Sequence, residues 1–500
     1  MMIVGTSSHA GKSWTATAIC RWLRRRGVRV APFKAQNMSL NSFPCIDGGE
    51  IGRAQVAQAE ACGLAPLADM NPILLKPTAQ DTSQVILNGR VWKQLSARDY
   101  YTHYEFLLDQ VIAAYERLAA KFEFVVMEGA GSASEINLRS RDLVNLPLAA
   151  RLGVPAMLVA DIDRGGVFAS VAGTFALLEP REKELLRSFV INRFRGDRGI
   201  FAGGCEMLEQ LAGRHCLGVF PYAEDIRLDD EDIVSLEERA ERSGDSGALR
   251  VGASYTGRIA WATHGLRIVI AGLPRISNFT DFRLLPDAEY ITRPPAETPD
   301  CIILPGSKNT IGDLMWLRER GLDRWILDCH ARGASVWGIC GGYQMLGQRV
   351  SDPAGVESGD GCAEGLGLLP IETVMLEEKT TRVVNATCAC SGVKFQAYEI
   401  HMGETKLVCA GKEAVAECFA WIEGQAEGCC RDGVVGTYLH GALETPEVLR
   451  GMLARVARRR GKTFDPAAIR ADYKQQNYDR LADWFEQHVD RARFEELYLS

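Results

Sequence analysis

Five hundred residues exceed what one hydrophobic core usually organises, about 100–200 residues, so the chain is expected to fold as two domains or more. Hydrophobic residues make up 47% and charged residues 24%, close to the globular average, which excludes disordered, collagen-like and fibrous chains. A formal charge of −7, from 57 Lys and Arg against 64 Asp and Glu, offers no global attraction to nucleic acid or to an anionic membrane and leaves small molecules as the expected partners.

No apolar run approaches the ~20 residues of a membrane-spanning helix. Residues 1–13 lack the charged start and apolar run of a secretion signal, so a cytoplasmic protein with no membrane partner is expected. Fifteen cysteines, an odd number without a C-x-x-C spacing, read as cytosolic thiols rather than a disulfide framework or a zinc site. Fourteen of them read as packing residues.

In chain order, short β-branched runs at 2–5, 28–33, 122–129, 154–163 and 186–194 alternate with longer helical patterns. That alternation predicts a parallel sheet wrapped by helices, an α/β domain over 1–225. Residues 226–265 turn acidic and then rich in Gly and Ser, and read as a linker. Runs at 266–273, 301–306, 334–342 and 434–441 open a second α/β domain over 266–455. The last stretch, 456–500, has amphipathic helical spacing and is expected to pack against that second domain.

Gly5-Thr6-Ser7-Ser8-His9-Ala10-Gly11-Lys12-Ser13 follows the first strand and opens a helix, the setting of a phosphate-binding loop. Backbone amides there can face phosphate oxygens, Lys12 can reach the β and γ phosphates, and the Ser13 hydroxyl can ligate Mg²⁺. The spacing between Gly5 and Gly11 is one residue longer than the usual pattern. Glu128, ending the run 122–129 at the ligand-binding edge of an open α/β sheet, is the expected second metal ligand. The polar run Lys34, Gln36, Asn37, Ser39 and Asn41 follows the second strand at that edge, and Asp161, Asp163 and Arg164 end another. The first suits a substrate rim of carboxylates and amides, the second suits metal binding or the orienting of a carboxylate, and helix caps or loop-stabilising contacts are the alternative for both.

Gly338-Ile339-Cys340-Gly341-Gly342 reads as strand, tight glycine turn and helix, the shape of a nucleophile elbow. A thiolate at Cys340 would sit at a helix start, where amides and dipole stabilise it. The expected base is His440, at the end of the run 434–441, with His401 as the alternative. Position 442 is Ala, and Glu444 lies too far along to replace a carboxylate beside the histidine, so a Cys-His pair with its third member absent or displaced is expected. The oxyanion donors are expected at Gly341 N–H and in the loop near Gly306.

The long GT-x-x-x-x-GKS loop is similar to that of dethiobiotin synthetase and its relatives, and GICGGYQ resembles the class I glutamine amidotransferase signature, a flavodoxin-like α/β fold. The first resemblance implies ATP as the nucleotide, a metal-binding acid at Glu50 and an adenine contact from Asn192, the alternatives being a solvated acid and an Asn that closes a strand. The second favours His440 over His401. Across nearly its whole length the chain resembles the cobyric acid synthases, the glutamine-hydrolysing amidases of cobalamin biosynthesis. The strings that carry this include PFKAQNMSLNS, GGEIGRAQ, EGAGSASEINL, DIDRGGVFAS, INRFRGD, PGSKNTIGDL, YEIHMG and GTYLHG. The resemblance implies ATP- and glutamine-dependent amidation of the b, d, e and g carboxylates of adenosylcobyrinic acid a,c-diamide, with L-glutamine and a corrinoid as partners. Two alternatives stay open: the a,c-diamide synthase that acts on an earlier corrinoid, and a regulatory ATPase carrying a degenerate, non-catalytic amidotransferase domain.

Overall fold

The structure is a computed structural model that describes residues 1–79, 82–223, 226, 228, 248–250, 265–285, 287–357, 361–408, 416–469 and 474–500. The chain forms two compact units. Most of the linker expected at 226–265 lies outside the described residues. No helix among them is long and apolar enough to cross a membrane.

The first unit is built on a six-stranded parallel sheet. Its strands are β1 (Met2–Gly5), β2 (Val30–Phe33), β3 (Phe124–Glu128), β4 (Ala156–Asp161), β5 (Leu186–Phe194) and β6 (His215–Pro221), in the order β6-β5-β4-β1-β3-β2. All of β1, β2 and β4 is buried, as unbroken apolar runs are when helices cover both faces of a parallel sheet. A smaller four-stranded sheet joins Gln36–Met38, Ile73–Ala79, Thr82–Leu87 and Arg90–Ser96.

The helix Lys12–Arg25 packs on this sheet and on the helix Lys474–His488. Trp22 meets Phe485 and Phe494 edge-on, with ring centroids 5.6 Å apart in both cases. Arg21 Nε donates to Asp479 Oδ1 at 2.8 Å. Asp479 is half-exposed, so that ion pair is worth ~1 kcal/mol at most, whereas each buried aromatic contributes roughly 2–3 kcal/mol. The apolar face therefore decides where this segment docks. The expected packing of 456–500 against the second domain is thus corrected: residues from 474 onward belong to the first unit. Amphipathic spacing shows that a face will be covered but not by what; the partner was set by the aromatic surface of Lys12–Arg25.

The second unit centres on a seven-stranded sheet. Its strands are β7 (Ala248–Arg250), β8 (Ile268–Ala271), β9 (Glu289–Ile291), β10 (Cys301–Leu304), β11 (Ser335–Ile339), β14 (Cys429–Arg431) and β15 (Val434–Thr437), in the order β7-β9-β8-β10-β11-β15-β14. Its five central strands are parallel, and both edge strands pair antiparallel. Between β11 and β14 the chain makes a long antiparallel hairpin, β12 (Ile371–Cys388) and β13 (Lys394–Leu407). The helix Pro446–Arg460 buries Val448, Leu449, Met452, Leu453 and Val456 in this unit's core.

Candidate active site

In the first unit, the loop after β1 turns through positive φ at His9 (58°) and Gly11 (103°) before the helix begins at Lys12. A side chain at Gly11 would collide with the Asn192 amide, so glycine is required there on two counts. Asn192, buried at the end of β5, donates from Nδ2 to Ala10 O at 2.9 Å and holds the loop from beneath. Thr6 N–H donates to Val159 O at 3.0 Å. Lys12 folds back past Gly5, where a Cβ would stand 3.1 Å from the Lys12 side chain, and donates to Ser7 O at 2.9 Å and Gly131 O at 2.7 Å.

Glu128 is the focus of this edge. Its Oε1 accepts from Ser13 Oγ at 2.7 Å and from Lys34 Nζ at 3.0 Å, and its Oε2 accepts from Gln58 Nε2 at 2.5 Å. Gln58 Oε1 is buried with no hydrogen-bond partner among the described residues. The hydroxyl, the carboxylate and this amide oxygen form a set of hard oxygen donors suited to a divalent cation. Glu50 is buried too, held by Lys76 Nζ at 3.0 Å. Each carboxylate thus has a buried lysine beside it, which removes the cost of leaving a charge unpaired.

Of the expected substrate residues, Asn37 donates to Gln55 Oε1 at 2.9 Å and Gln36 accepts from Tyr100 Oη at 2.5 Å. Arg193 pairs with Asp161 at 3.0 Å and Arg195 with Asp163 at 2.9 Å, while Arg164 is exposed. The two aspartates are therefore already neutralised by arginines.

In the second unit, Cys340 takes φ 52° and ψ −110° between β11 and the helix Gly341–Met345. A non-glycine residue held there is strained, as a nucleophile elbow demands. Gly341 lies so close to the neighbouring loop that a Cβ would stand 2.8 Å from Ser307 N, and one on Gly306 would stand 3.2 Å from His440 Cε1. Gly341, as the first residue of its helix, has an N–H without an intrahelical acceptor.

His440 is fully buried and lies within hydrogen-bonding reach of Cys340. Its Nδ1 meets Asp281 Oδ2 at 2.8 Å, and Asp281 Oδ1 accepts from Gly441 N–H at 2.8 Å. Tyr398 stacks on the imidazole, with centroids 5.1 Å apart. Burial pulls the His440 pKa down, but the charge and hydrogen bond of Asp281, and then Cys340, outweigh it and push it up to about 10. His440 is thereby set up to rest as the imidazolium, and the Cys340 thiol beside it donates to Ile400 O at 3.5 Å.

The alternative base, His401, faces elsewhere. Its Nδ1 donates to Gly403 O at 2.9 Å, and its ring stacks on Tyr438. Glu444 pairs with Arg283 at 3.1 Å. The third member is displaced rather than absent: it is Asp281, on the short 3-10 turn Phe279–Phe282. No spacing rule points to it, but a carboxylate set between two phenylalanines in NFTDF was a usable signal, since a group drawn inward by such neighbours is buried only with a partner.

Comparison with known proteins agrees with this division. Residues 1–235 match the CobQ/CobB/MinD/ParA nucleotide binding domain, and residues 267–448 match the CobB/CobQ-like glutamine amidotransferase domain. The chain is similar to a probable cobyric acid synthase of Methanoculleus marisnigri, 45% identical over 98% of this chain and 97% of the relative. It is similar also to cobyric acid synthases of Syntrophobacter fumaroxidans, 43% identical over 99% of this chain and 98% of the relative, and of Salmonella typhimurium, 43% identical over 98% and 96%. With 43–45% identity over nearly the whole length of these relatives, and a nucleotide-binding and an amidotransferase domain matched in turn, the chain belongs to the cobyric acid synthase family of glutamine-dependent amidating ligases.

Proposed function

We propose that this chain amidates the b, d, e and g carboxylates of adenosylcobyrinic acid a,c-diamide in cobalamin biosynthesis, with ATP as energy source and glutamine as nitrogen donor. The observation that carries the reading is the buried Cys340–His440–Asp281 arrangement on a chain that also holds a phosphate loop. A degenerate regulatory domain would have no reason to keep a strained cysteine against a charge-paired histidine.

In the amidotransferase unit, the Cys340 thiolate attacks the glutamine carboxamide carbon. Gly341 N–H, which has no intrahelical acceptor, and an N–H of the loop at Gly306 are the donors proposed for the developing oxyanion. The His440 imidazolium protonates the departing nitrogen, and ammonia leaves. The same histidine, now neutral, takes a proton from the water that hydrolyses the thioester to glutamate. Asp281 keeps Nδ1 protonated, so that Nε2 serves the reaction.

In the nucleotide-binding unit, the loop amides and Lys12 hold the ATP phosphates, with Thr6 beside them and Asn192 supporting the loop. Ser13 and Glu128 are the residues that would hold Mg²⁺, with Glu50 in support, and the ion when bound supplies charge neutralisation on the phosphate oxygens. A substrate carboxylate attacks the γ-phosphorus, giving an acyl phosphate and ADP. Ammonia adds to the acyl carbon, phosphate leaves, and an amide remains. Lys34, Gln36, Asn37, Asp163 and Arg164 are the residues proposed to meet the corrinoid side chains.

The test is Cys340→Ser assayed by mass spectrometry of the corrinoid product. It should lose glutamine-dependent amidation and keep amidation from ammonium salts. Full glutamine-dependent activity in the variant would remove Cys340 from the mechanism.

A further inference from the structure

Four cysteines that the mechanism does not use gather where the hairpin β12–β13 ends. Cys388 closes β12 and Cys390 sits in the turn, with their sulfurs 3.3 Å apart. The turn is fixed by Cys388 N–H donating to Val393 O and by Gly392 N–H donating to Cys388 O, each at 2.8 Å. Cys388 is buried, at 1% exposure, while Cys390 is exposed. A cavity of about 480 Å³ opens beside Cys390, and Cys418 and Cys430 line it as well. Its charged lining is Arg431, Arg455 and Arg459 against Glu417 and Asp432, an excess of one positive charge. Arg431 is paired with Asp432, and Arg459 donates to Gly333 O. Arg455 makes no hydrogen bond or carboxylate ion pair among the described residues, and its charge acts on Cys390 and Cys430.

Two thiols in contact, one buried and one exposed, beside a cationic cavity, make a specific chemical device. We infer that Cys388 and Cys390 form a thiol–disulfide exchange site that takes small disulfides bearing carboxylates. Hydrogen bonds to the Cys388 sulfur support this: the Cys390 thiol, against the opposing effect of burial, and then the Ser391 hydroxyl and the backbone N–H groups of 390 and 391 lower the Cys388 pKa. The same hydrogen bond and burial push the Cys390 thiol up, so the pair gives up its first proton at Cys388 and keeps the second on Cys390.

The exchange runs in two steps. Cys390, the accessible sulfur, gives its proton to the Cys388 thiolate 3.3 Å away and attacks one sulfur of the reagent R–S–S–R. A Cys390–S–S–R bond forms as the reagent's own bond breaks, and R–S⁻ leaves; the shared proton stays with Cys388. Cys388 then passes that proton to the departed thiolate and attacks the Cys390 sulfur, forming the 388–390 bond and expelling the second R–S⁻, which takes a proton from water. Two protein thiols are oxidised and one disulfide is reduced to two thiols.

The test incubates the full-length reduced protein with defined ratios of oxidised and reduced glutathione at neutral pH, traps free thiols by alkylation and maps the peptides by mass spectrometry. A 388–390 disulfide should accumulate before modification of any other cysteine, a measurement that needs no variant. Cys388→Ser should stop at one glutathionyl group on Cys390, and alkylation of Cys390 at mildly acidic pH should be about tenfold slower there than in the wild type. Pairing of Cys390 with Cys418 or Cys430, reaction no faster than at the exposed Cys362, or equal alkylation rates would overturn the assignment. Cystamine, a dicationic disulfide, should react more slowly than oxidised glutathione at low salt. Equal or faster reaction with cystamine would refute the stated preference for carboxylates.

Discussion

Asp281→Asn is the sharpest probe of the glutaminase. The substitution keeps shape and removes charge from a carboxylate 1% exposed that makes two 2.8 Å contacts, one to His440 Nδ1 and one to Gly441 N–H. A hydrogen bond to a charged group is worth about 1.5–3 kcal/mol, and the upper end applies where both partners are buried. Since ~1.4 kcal/mol is tenfold in rate, glutamine hydrolysis should fall roughly a hundredfold. The pH profile should change as well. In the wild type, Asp281 and Cys340 hold the His440 pKa up at about 10 against the pull of burial, so the imidazolium persists through neutral pH and is lost only as pH rises through that value. In the variant, burial acts unopposed by a carboxylate, the imidazolium is lost at lower pH, and hydrolysis should climb with pH toward the ordinary thiol range near 8.5. Glutamate release across pH measures this, and ammonium-dependent amidation reports that the variant is folded. A variant within about threefold of wild type, with an unchanged profile, would refute the role given to Asp281.

Two further outcomes follow from the geometry. Lys12→Ala should abolish amidation with glutamine and with ammonium salts alike, because Lys12 is the cation proposed to leave its carbonyl partners Ser7 O and Gly131 O for the ATP phosphates; amidation retained with either nitrogen source would remove the loop from the reaction. Asp313 is fully buried, and burial, against Ser307 and Arg275, pushes its carboxyl up to about 7. An unfolded carboxyl ionises near 3.8, so between those values the folded state holds the extra proton and stability falls as pH rises. The melting temperature of Asp313→Asn relative to wild type should therefore rise by a few degrees between pH 5 and pH 8; a difference that is the same at both pH values would contradict this.

Those parts of the site that lie within one contiguous string were legible in the sequence. The phosphate loop and the elbow each couple a strand, a glycine turn and a helix start inside about ten residues, and the apolar runs that became β1, β4, β10 and β11 were unmistakable because parallel strands are buried on both faces. The small sheet at 36–96 and the hairpin β12–β13 were not anticipated. Arg90–Ser96 is mostly exposed, and the first part of β12 alternates buried and exposed residues, so neither carries the continuous apolar signal of a core strand. Asp281 was missed because its partner stands 159 residues away and no local periodicity encodes that meeting. Cys388 and Cys390 were set aside as packing residues, and the turn that brings their sulfurs together is visible only once the hairpin is built.

The strand order of the second unit also constrains when activity can arise during synthesis on the ribosome. Asp281 and Cys340 emerge first, with β8, β10 and β11 able to assemble around them. The imidazole follows only after the whole hairpin, because His440 rides on the end of β15, which pairs beside β11. A nascent chain halted before residue 434 therefore holds the strained cysteine without the buried imidazole, and the helix Lys474–His488 that completes the first unit is made later still.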